Sequence, residues 1–304
     1  MLNNCKLCPR QCGADRDAGR TGFCKSTSAP SVASICAHKG EEPVLCGEKG
    51  VCNVFFSHCN MQCVYCQNYD ISRNDTTACR YNTISAIADR IAEVLATTEN
   101  VLGFVSPSHQ AHCIPDILNE LHRRGLRPTT IYNTNAYDSV ETLRSLEPYI
   151  DIYLPDFKYS DNSLAERYSQ TPYYFERASQ ALLEMYRQKG STLITDDRDV
   201  ATSGLIIRHL VLPGCVENSK NALRWIAENL STNVHLSLMA QYYPPKGVEN
   251  LPDKLGGFVT ADEYDEVRAY SQSLGFHRGW EQELSEKVVY RPHFENNDSF
   301  EQNT

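Results

Sequence analysis

Cys59-Asn60-Met61-Gln62-Cys63-Val64-Tyr65-Cys66 follows directly on the apolar run Val51-Cys52-Asn53-Val54-Phe55-Phe56-Ser57, and this junction decides the fold. The run has the length and the β-branched and aromatic content of a buried strand. The loop after it, C-x3-C-x2-C, brings three thiols close enough in sequence to turn inward on one small site. Thiolate is the ligand that iron-sulfur clusters take. A closed 4Fe-4S cluster wants four cysteines, so three leave one iron with an open position. In barrel enzymes chemistry collects on loops at the C-terminal ends of strands, which is where this loop lies. A zinc site with a distant fourth ligand, or three cysteines buried together, are the plainer alternatives.

Working outward, short β-branched or aromatic runs alternate with helical patterns, as βα units feeding a parallel sheet do. Strands are expected at Val51-Ser57, Val101-Ser106, Thr129-Asn133, Asp151-Phe157, Gly204-Leu212 and Val234-Met239. Apolar residues recur at helical spacing in Ile84, Ile87, Ala88, Ile91 and Leu95, and in Ile114, Ile117, Leu118 and Leu121. Further helices fit 139-147, 172-189, 218-230 and 261-274. Six βα units are too few for an eight-stranded barrel, yet the strands read as buried on both faces. The fold class is therefore α/β, a partial (β/α)6 TIM-like barrel. A doubly wound open sheet is the competing architecture, and the first strand lacks the G-x-G-x-x-G turn that would support it. The expected divisions are a Cys-rich N-terminal extension at 1-50, the barrel at 51-275 and a C-terminal tail at 276-304, polar from Glu295 onward.

Length and composition agree with a globular chain. The 304 residues carry 29 Lys+Arg against 38 Asp+Glu, a net charge of −9, with 41% hydrophobic residues. An acidic balance without clustered Lys and Arg argues against a partner that is nucleic acid. No apolar stretch approaches the roughly 20 residues of a membrane helix. Of the 13 cysteines, ten lie in the first 66 residues. An odd count with no signal-peptide pattern points to a cytoplasmic chain with metal or cluster ligation rather than a disulfide framework.

The sequence resembles the radical S-adenosylmethionine superfamily, and within it proteins described as similar to pyruvate formate-lyase activating enzyme. The likeness spans nearly the whole chain: Cys5-x2-Cys8-Pro9-Arg10-x-Cys12-Gly13, Gly40-Glu41-Glu42-Pro43, Phe55-Phe56-Ser57, Cys59 through Asn68, Asp151 through Lys158, Arg208 through Gly214, and Gln241-Tyr242-Tyr243-Pro244. It implies a 4Fe-4S cluster on Cys59, Cys63 and Cys66, whose open iron binds S-adenosylmethionine. One electron would cleave the sulfonium to methionine and a 5'-deoxyadenosyl radical that abstracts hydrogen from a substrate. It also implies a protein substrate such as a glycyl radical enzyme, and a flavodoxin or ferredoxin as electron donor. A non-catalytic iron-sulfur or zinc protein, a scaffold or electron carrier, is the rival reading.

The resemblance further implies that Tyr65 packs on the adenine. Where the superfamily commonly has a Gly-Gly-Glu-type stretch for the methionine amino group, this chain reads Ser106-Pro107-Ser108-His109, so Ser106 is the candidate acceptor. Asn133 and the pair Asp156 and Lys158 match positions near the cofactor's methionine end. Two apart on a strand, Asp156 and Lys158 share a face. Arg208, a charge inside an apolar run, needs a partner if buried. Gln241 is a candidate for the adenine or ribose edge, and Glu41 and Glu42 could reach the barrel mouth or merely cap the extension. Cys5, Cys8, Cys12 and Cys24 supply four thiols in a short span, which suits zinc and a second iron-sulfur cluster equally.

Overall fold

The computed structural model describes residues 2–244, 252–284, 292 and 294. Its centre is a nine-stranded sheet in the order β1-β2-β3-β4-β5-β7-β8-β9, with β6 pairing β7 off this path. The expected strands appear as β2 (Val51–Phe56), β3 (Val101–Val105), β4 (Thr129–Thr134), β5 (Ile152–Pro155), β7 (Ala201–Leu210) and β8 (His235–Met239). All six run parallel to one another along the path, and the sheet stays open. It is thus the expected partial barrel.

Three strands had no sequence signal. β1 (Val32–His38), inside the segment read as an aperiodic extension, pairs antiparallel with β2 and extends the sheet at that side. β9 (Gly279–Glu281), inside the expected tail, adds a parallel strand beside β8. β6 (Ile194–Thr195) is a two-residue antiparallel partner of β7.

The helices α3 (Ile84–Leu95), α4 (Ile114–Arg123), α5 (Val140–Leu146), α8 (Val216–Asn229) and α9 (Ala261–Ser273) match their expected positions to within a few residues. α3 shows why: Ile87, Ala88, Ile91, Val94 and Leu95 form one buried stripe, and the Thr83 side chain caps the start by accepting from the Ala86 amide. The expected helix at 172–189 begins at Tyr174 as α7 (Tyr174–Lys189), and a separate α6 (Asn162–Ser169) precedes it. Gln170, left-handed at φ 51°, ends α6 and allows the chain to turn. Two one-turn helices, α1 (Pro43–Cys46) and α2 (Tyr69–Ser72), flank the first parallel strand and its loop. Leu102, Phe104, Tyr132, Tyr153, Leu205 and Ile207 project from alternate strand positions into the main core with the inner faces of the helices. Among the described residues no helix is long and apolar enough to cross a membrane. Residues 285–291, 293 and 295–304 of the expected C-terminal tail, among them Tyr290, Arg291 and His293, lie outside the described residues.

Candidate functional site

The C-terminal ends of β2, β3, β4, β5, β7 and β8 open into one cavity. Cys59, Cys63 and Cys66 line it, together with all seven expected cofactor contacts: Tyr65, Ser106, Asn133, Asp156, Lys158, Arg208 and Gln241. Parallel strands leave their sheet on one side, so residues as far apart in sequence as Glu41 and Gln241 meet there. Two of the exits need unusual backbone: His58 at φ 67° after β2 and Ser106 at φ 50° after β3. Non-glycine residues in that region store strain, which typically persists where surrounding structure enforces it. The Ser106 amide donates to Asn133 O at 2.8 Å, one such restraint.

Each thiol of the loop has its own polar neighbour. Met61 N–H and the Asn135 carboxamide approach Cys59 Sγ at 3.4 and 3.5 Å. Ser169 Oγ donates to Cys63 Sγ at 3.0 Å, and Ser72 Oγ lies 3.2 Å from Cys66 Sγ. Burial pushes all three thiols up, Cys63 to about 11, against the pull of Lys158. Even with Lys158 present, the pocket favours uncharged thiols in the absence of metal. A bound iron cluster reverses that balance, because the metal charge stabilises thiolate directly. Soft donors sharing a cavity, each with a hydrogen-bond neighbour on its sulfur, fit a 4Fe-4S cluster.

On the far wall stands a charge network. Arg208 Nε donates to Asp156 Oδ1 at 2.7 Å, Nη1 to Glu41 Oε2 at 3.1 Å and Nη2 to Asn133 Oδ1 at 2.7 Å. Lys158 Nζ donates to the other oxygen of Asp156 at 2.6 Å. Burial alone would raise the Asp156 carboxyl, but Arg208 and Lys158 outweigh it and hold it below the usual range. For Lys158 burial works downward, and Asp156 with Cys63 more than offsets it. The side chains of Arg208, Asp156, Lys158 and Glu41 retain only 8–18% exposure, so these interactions are weakly screened.

Of the two readings open for Glu41, reaching the barrel mouth is the one the structure shows, while Asn53, Gly103 and Tyr174 had no signal in the sequence. Glu41 reaches the mouth from the N-terminal side, held by Asn53 Nδ2 at 2.9 Å, and supplies a carboxylate that the Ser106-Pro107-Ser108-His109 stretch lacks. Its neighbour Glu42 is buried outside the cavity lining, and burial pushes its carboxyl up against the pull of Arg208. Asn53 has room only because Gly103 faces it on β3: a Cβ there would lie 2.1 Å from Asn53 Oδ1. Asn135 ties the cluster loop to the β4 exit, donating to Asn60 Oδ1 at 2.8 Å. Tyr174 OH donates within reach of Asn135 O and Asp156 O at 3.0 and 2.9 Å and accepts from the Lys158 amide at 2.9 Å, binding two strand ends together. Tyr65 is buried with its hydroxyl 2.6 Å from Tyr159 OH, leaving the ring as the surface it offers the cavity. Gln241 accepts from Gln282 Nε2 at 3.0 Å. Ser108 is fully buried beside Thr134 and does not line the cavity.

No family model matches the chain. It is 30% identical over 259 residues to uncharacterized protein MJ0674 of Methanocaldococcus jannaschii, covering 83% of this chain and 70% of that protein. Among solved structures, SuiB of Streptococcus suis bound to S-adenosylmethionine superposes with a TM-score of 0.53 at 12% identity, over 76% of this chain and 50% of SuiB. SuiB bound to its precursor peptide SuiA gives 0.52 at 14% identity, over 77% of this chain and 49% of that one. The chain thus spans about half the length of SuiB. Taken with the C-x3-C-x2-C loop at the mouth of an open parallel barrel, these likenesses lead to one placement: the chain belongs to one family with the Methanocaldococcus protein and shares its fold with SuiB.

Proposed function

We propose that the chain is a radical S-adenosylmethionine enzyme whose cluster is held by Cys59, Cys63 and Cys66. The observation that carries this reading is the single cavity in which three thiols, one buried and two half-buried, face Asp156, Lys158, Arg208 and Glu41. When bound, the cluster and S-adenosylmethionine supply a one-electron cleavage of the sulfonium, giving methionine and a 5'-deoxyadenosyl radical that takes hydrogen from substrate. The chain's own residues bind and orient. Arg208 and Lys158 are the cations suited to a carboxylate, while Asp156, Glu41 and Ser106 are acceptors suited to an ammonium. Asn133 fixes the Arg208 guanidinium, and the Tyr65 ring and Gln241 are suited to an adenosine. Buried walls exclude water from the reacting centre.

The finer reading is an activase that draws hydrogen from a partner protein such as a glycyl radical enzyme, with a flavodoxin or ferredoxin as electron donor in the cytoplasm. Its support is the motif likeness to pyruvate formate-lyase activating enzyme. A fold neighbour bound to a precursor peptide makes a polypeptide the substrate class to test first.

The test is anaerobic reconstitution with iron and sulfide, reduction with dithionite, and chromatography for 5'-deoxyadenosine. Wild type is expected to form it and Cys59→Ala to form none. A bound cluster with no S-adenosylmethionine affinity by calorimetry would favour a non-catalytic iron-sulfur protein instead.

A further inference from the structure

Outside this cavity, Cys5, Cys8, Cys12 and Cys24 line a second, smaller one with Arg16 and His109. Local backbone places them there: the Cys5 amide donates to Ala14 O at 3.0 Å, Gly13 to Cys5 O at 3.1 Å and Gln11 to Cys8 O at 3.0 Å, folding the segment back on itself. Gly22 completes the wall, since a Cβ there would lie 2.3 Å from Cys12 Sγ. None of the four forms a disulfide.

Two neighbours are chemically incomplete. Arg16 is 1% exposed. Its guanidinium donates to Thr27 O at 3.1 and 2.6 Å and to His109 O at 2.8 Å, and stands 3.8 Å from Cys5 Sγ. No carboxylate pairs with it among the described residues. A buried cation without an anion is expensive, so something negative belongs beside it. His109, also 1% exposed, has Nε2 2.8 Å from Ser57 O, which accepts its proton. Its Nδ1 is then a bare acceptor, buried and without a partner among the described residues.

Metal-bound thiolates would supply the missing negative charge, and spacing discriminates between metals. Tetrahedral zinc with Zn–S near 2.3 Å holds its sulfurs about 3.8 Å apart. Among the described residues no group of three Cys, His, Asp or Glu side chains is placed to hold a single metal ion, which holds equally for Cys59, Cys63 and Cys66, the loop that fits a cluster. A 4Fe-4S cube sets each thiolate on a different iron and spreads the four sulfurs wider. We propose that Cys5, Cys8, Cys12 and Cys24 hold a second 4Fe-4S cluster, with Arg16 as its buried counter-cation. The site abuts the radical loop through Arg10, whose guanidinium lies 3.6 Å from the Phe23 ring centroid and donates to Asn60 O at 3.0 Å.

The experiment is metal and sulfide analysis of the full chain reconstituted anaerobically with iron, sulfide and zinc all offered. The Cys59→Ala/Cys63→Ala/Cys66→Ala variant is expected to keep about four irons and about four sulfides per chain, with an EPR signal on reduction. Adding Cys8→Ser and Cys24→Ser should abolish both. Because the triple variant could fail to fold, the same count is made on chains with an intact radical loop. There wild type should hold about eight irons and Cys8→Ser/Cys24→Ser about four. One zinc per chain in the triple variant, or about four irons in wild type with no loss in Cys8→Ser/Cys24→Ser, overturns the proposal. The readout is independent of S-adenosylmethionine cleavage, so its failure and that of the enzymatic reading are separable.

Discussion

Arg208→Met removes the guanidinium but keeps most of the side chain's volume. The structure sets two ion pairs on it, at 2.7 Å to Asp156 and 3.1 Å to Glu41. At an effective dielectric constant of about 20 their gross attractions are about 6 and about 5 kcal/mol. Desolvation of all three groups offsets much of that. What the variant loses is therefore better judged by the charges left behind: breaking a buried pair on one side costs about 3–5 kcal/mol. Asp156 would keep Lys158, and Glu41 would keep only amide donors. The pH dependence follows from the direction of the Asp156 shift. Its folded-state value lies below the unfolded one, so the stability it contributes is present above about pH 4 and lost as pH falls through the folded value. Without Arg208 the burial effect loses an opponent and the carboxyl moves up, so acid relieves the variant by protonating it. Urea unfolding of the reduced, cluster-free protein should give a penalty of about 3–5 kcal/mol at pH 7 that shrinks by about 1 kcal/mol or more at pH 5. Asp156→Asn in the same background should recover part of it, a coupling of at least about 1 kcal/mol. Equal penalties at the two pH values with no coupling would refute the network as described.

Two further outcomes are expected. Ser169→Ala removes the donor on Cys63 Sγ and should move the midpoint potential of the reconstituted radical cluster more negative by on the order of tens of mV, read by EPR redox titration. Gly103→Ala puts a methyl on Asn53 and should destabilise the fold by about 1–3 kcal/mol, and the double variant Gly103→Ala/Asn53→Ala should be less destabilised than the two singles summed.

The fold was legible where burial is two-sided. β3 (Val-Leu-Gly-Phe-Val) and β8 (His-Leu-Ser-Leu-Met) are short apolar runs between helical patterns, and such runs are conspicuous. β1 was not, because Val-Ala-Ser-Ile-Cys-Ala-His is built of small residues in a Cys-, Gly- and Ser-rich context and depends on β2 for its pairing. At three residues, β9 is shorter than any periodicity can register. α6 was hidden because its limits are set by the Asp161 cap and the left-handed Gln170, not by a change of pattern. The site divides the same way. Cysteine spacing announces the loop, and Asp156, Lys158 and Arg208 stand out as charges in apolar strands. Asn53, Asn135 and Ser169 acquire their positions only through packing, and an isolated Asn or Ser carries no mark of it.

The attachment of the N-terminal segment also orders events in time. Arg10 donates to Gln170 O at 2.5 Å, 160 residues away, and Thr142 Oγ1 donates to Leu7 O at 2.8 Å, 135 residues away. At a synthesis rate of about 5–20 residues per second, Arg10 waits roughly 8–32 s for the anchor at Gln170 to be made. By the time residue 66 is made the first ten cysteines are all in the nascent chain, with much of the scaffold that will enclose them still unmade. The enclosure of these thiols is therefore complete only once residue 170 has been synthesised, and until then the nascent thiols depend on a reducing surrounding.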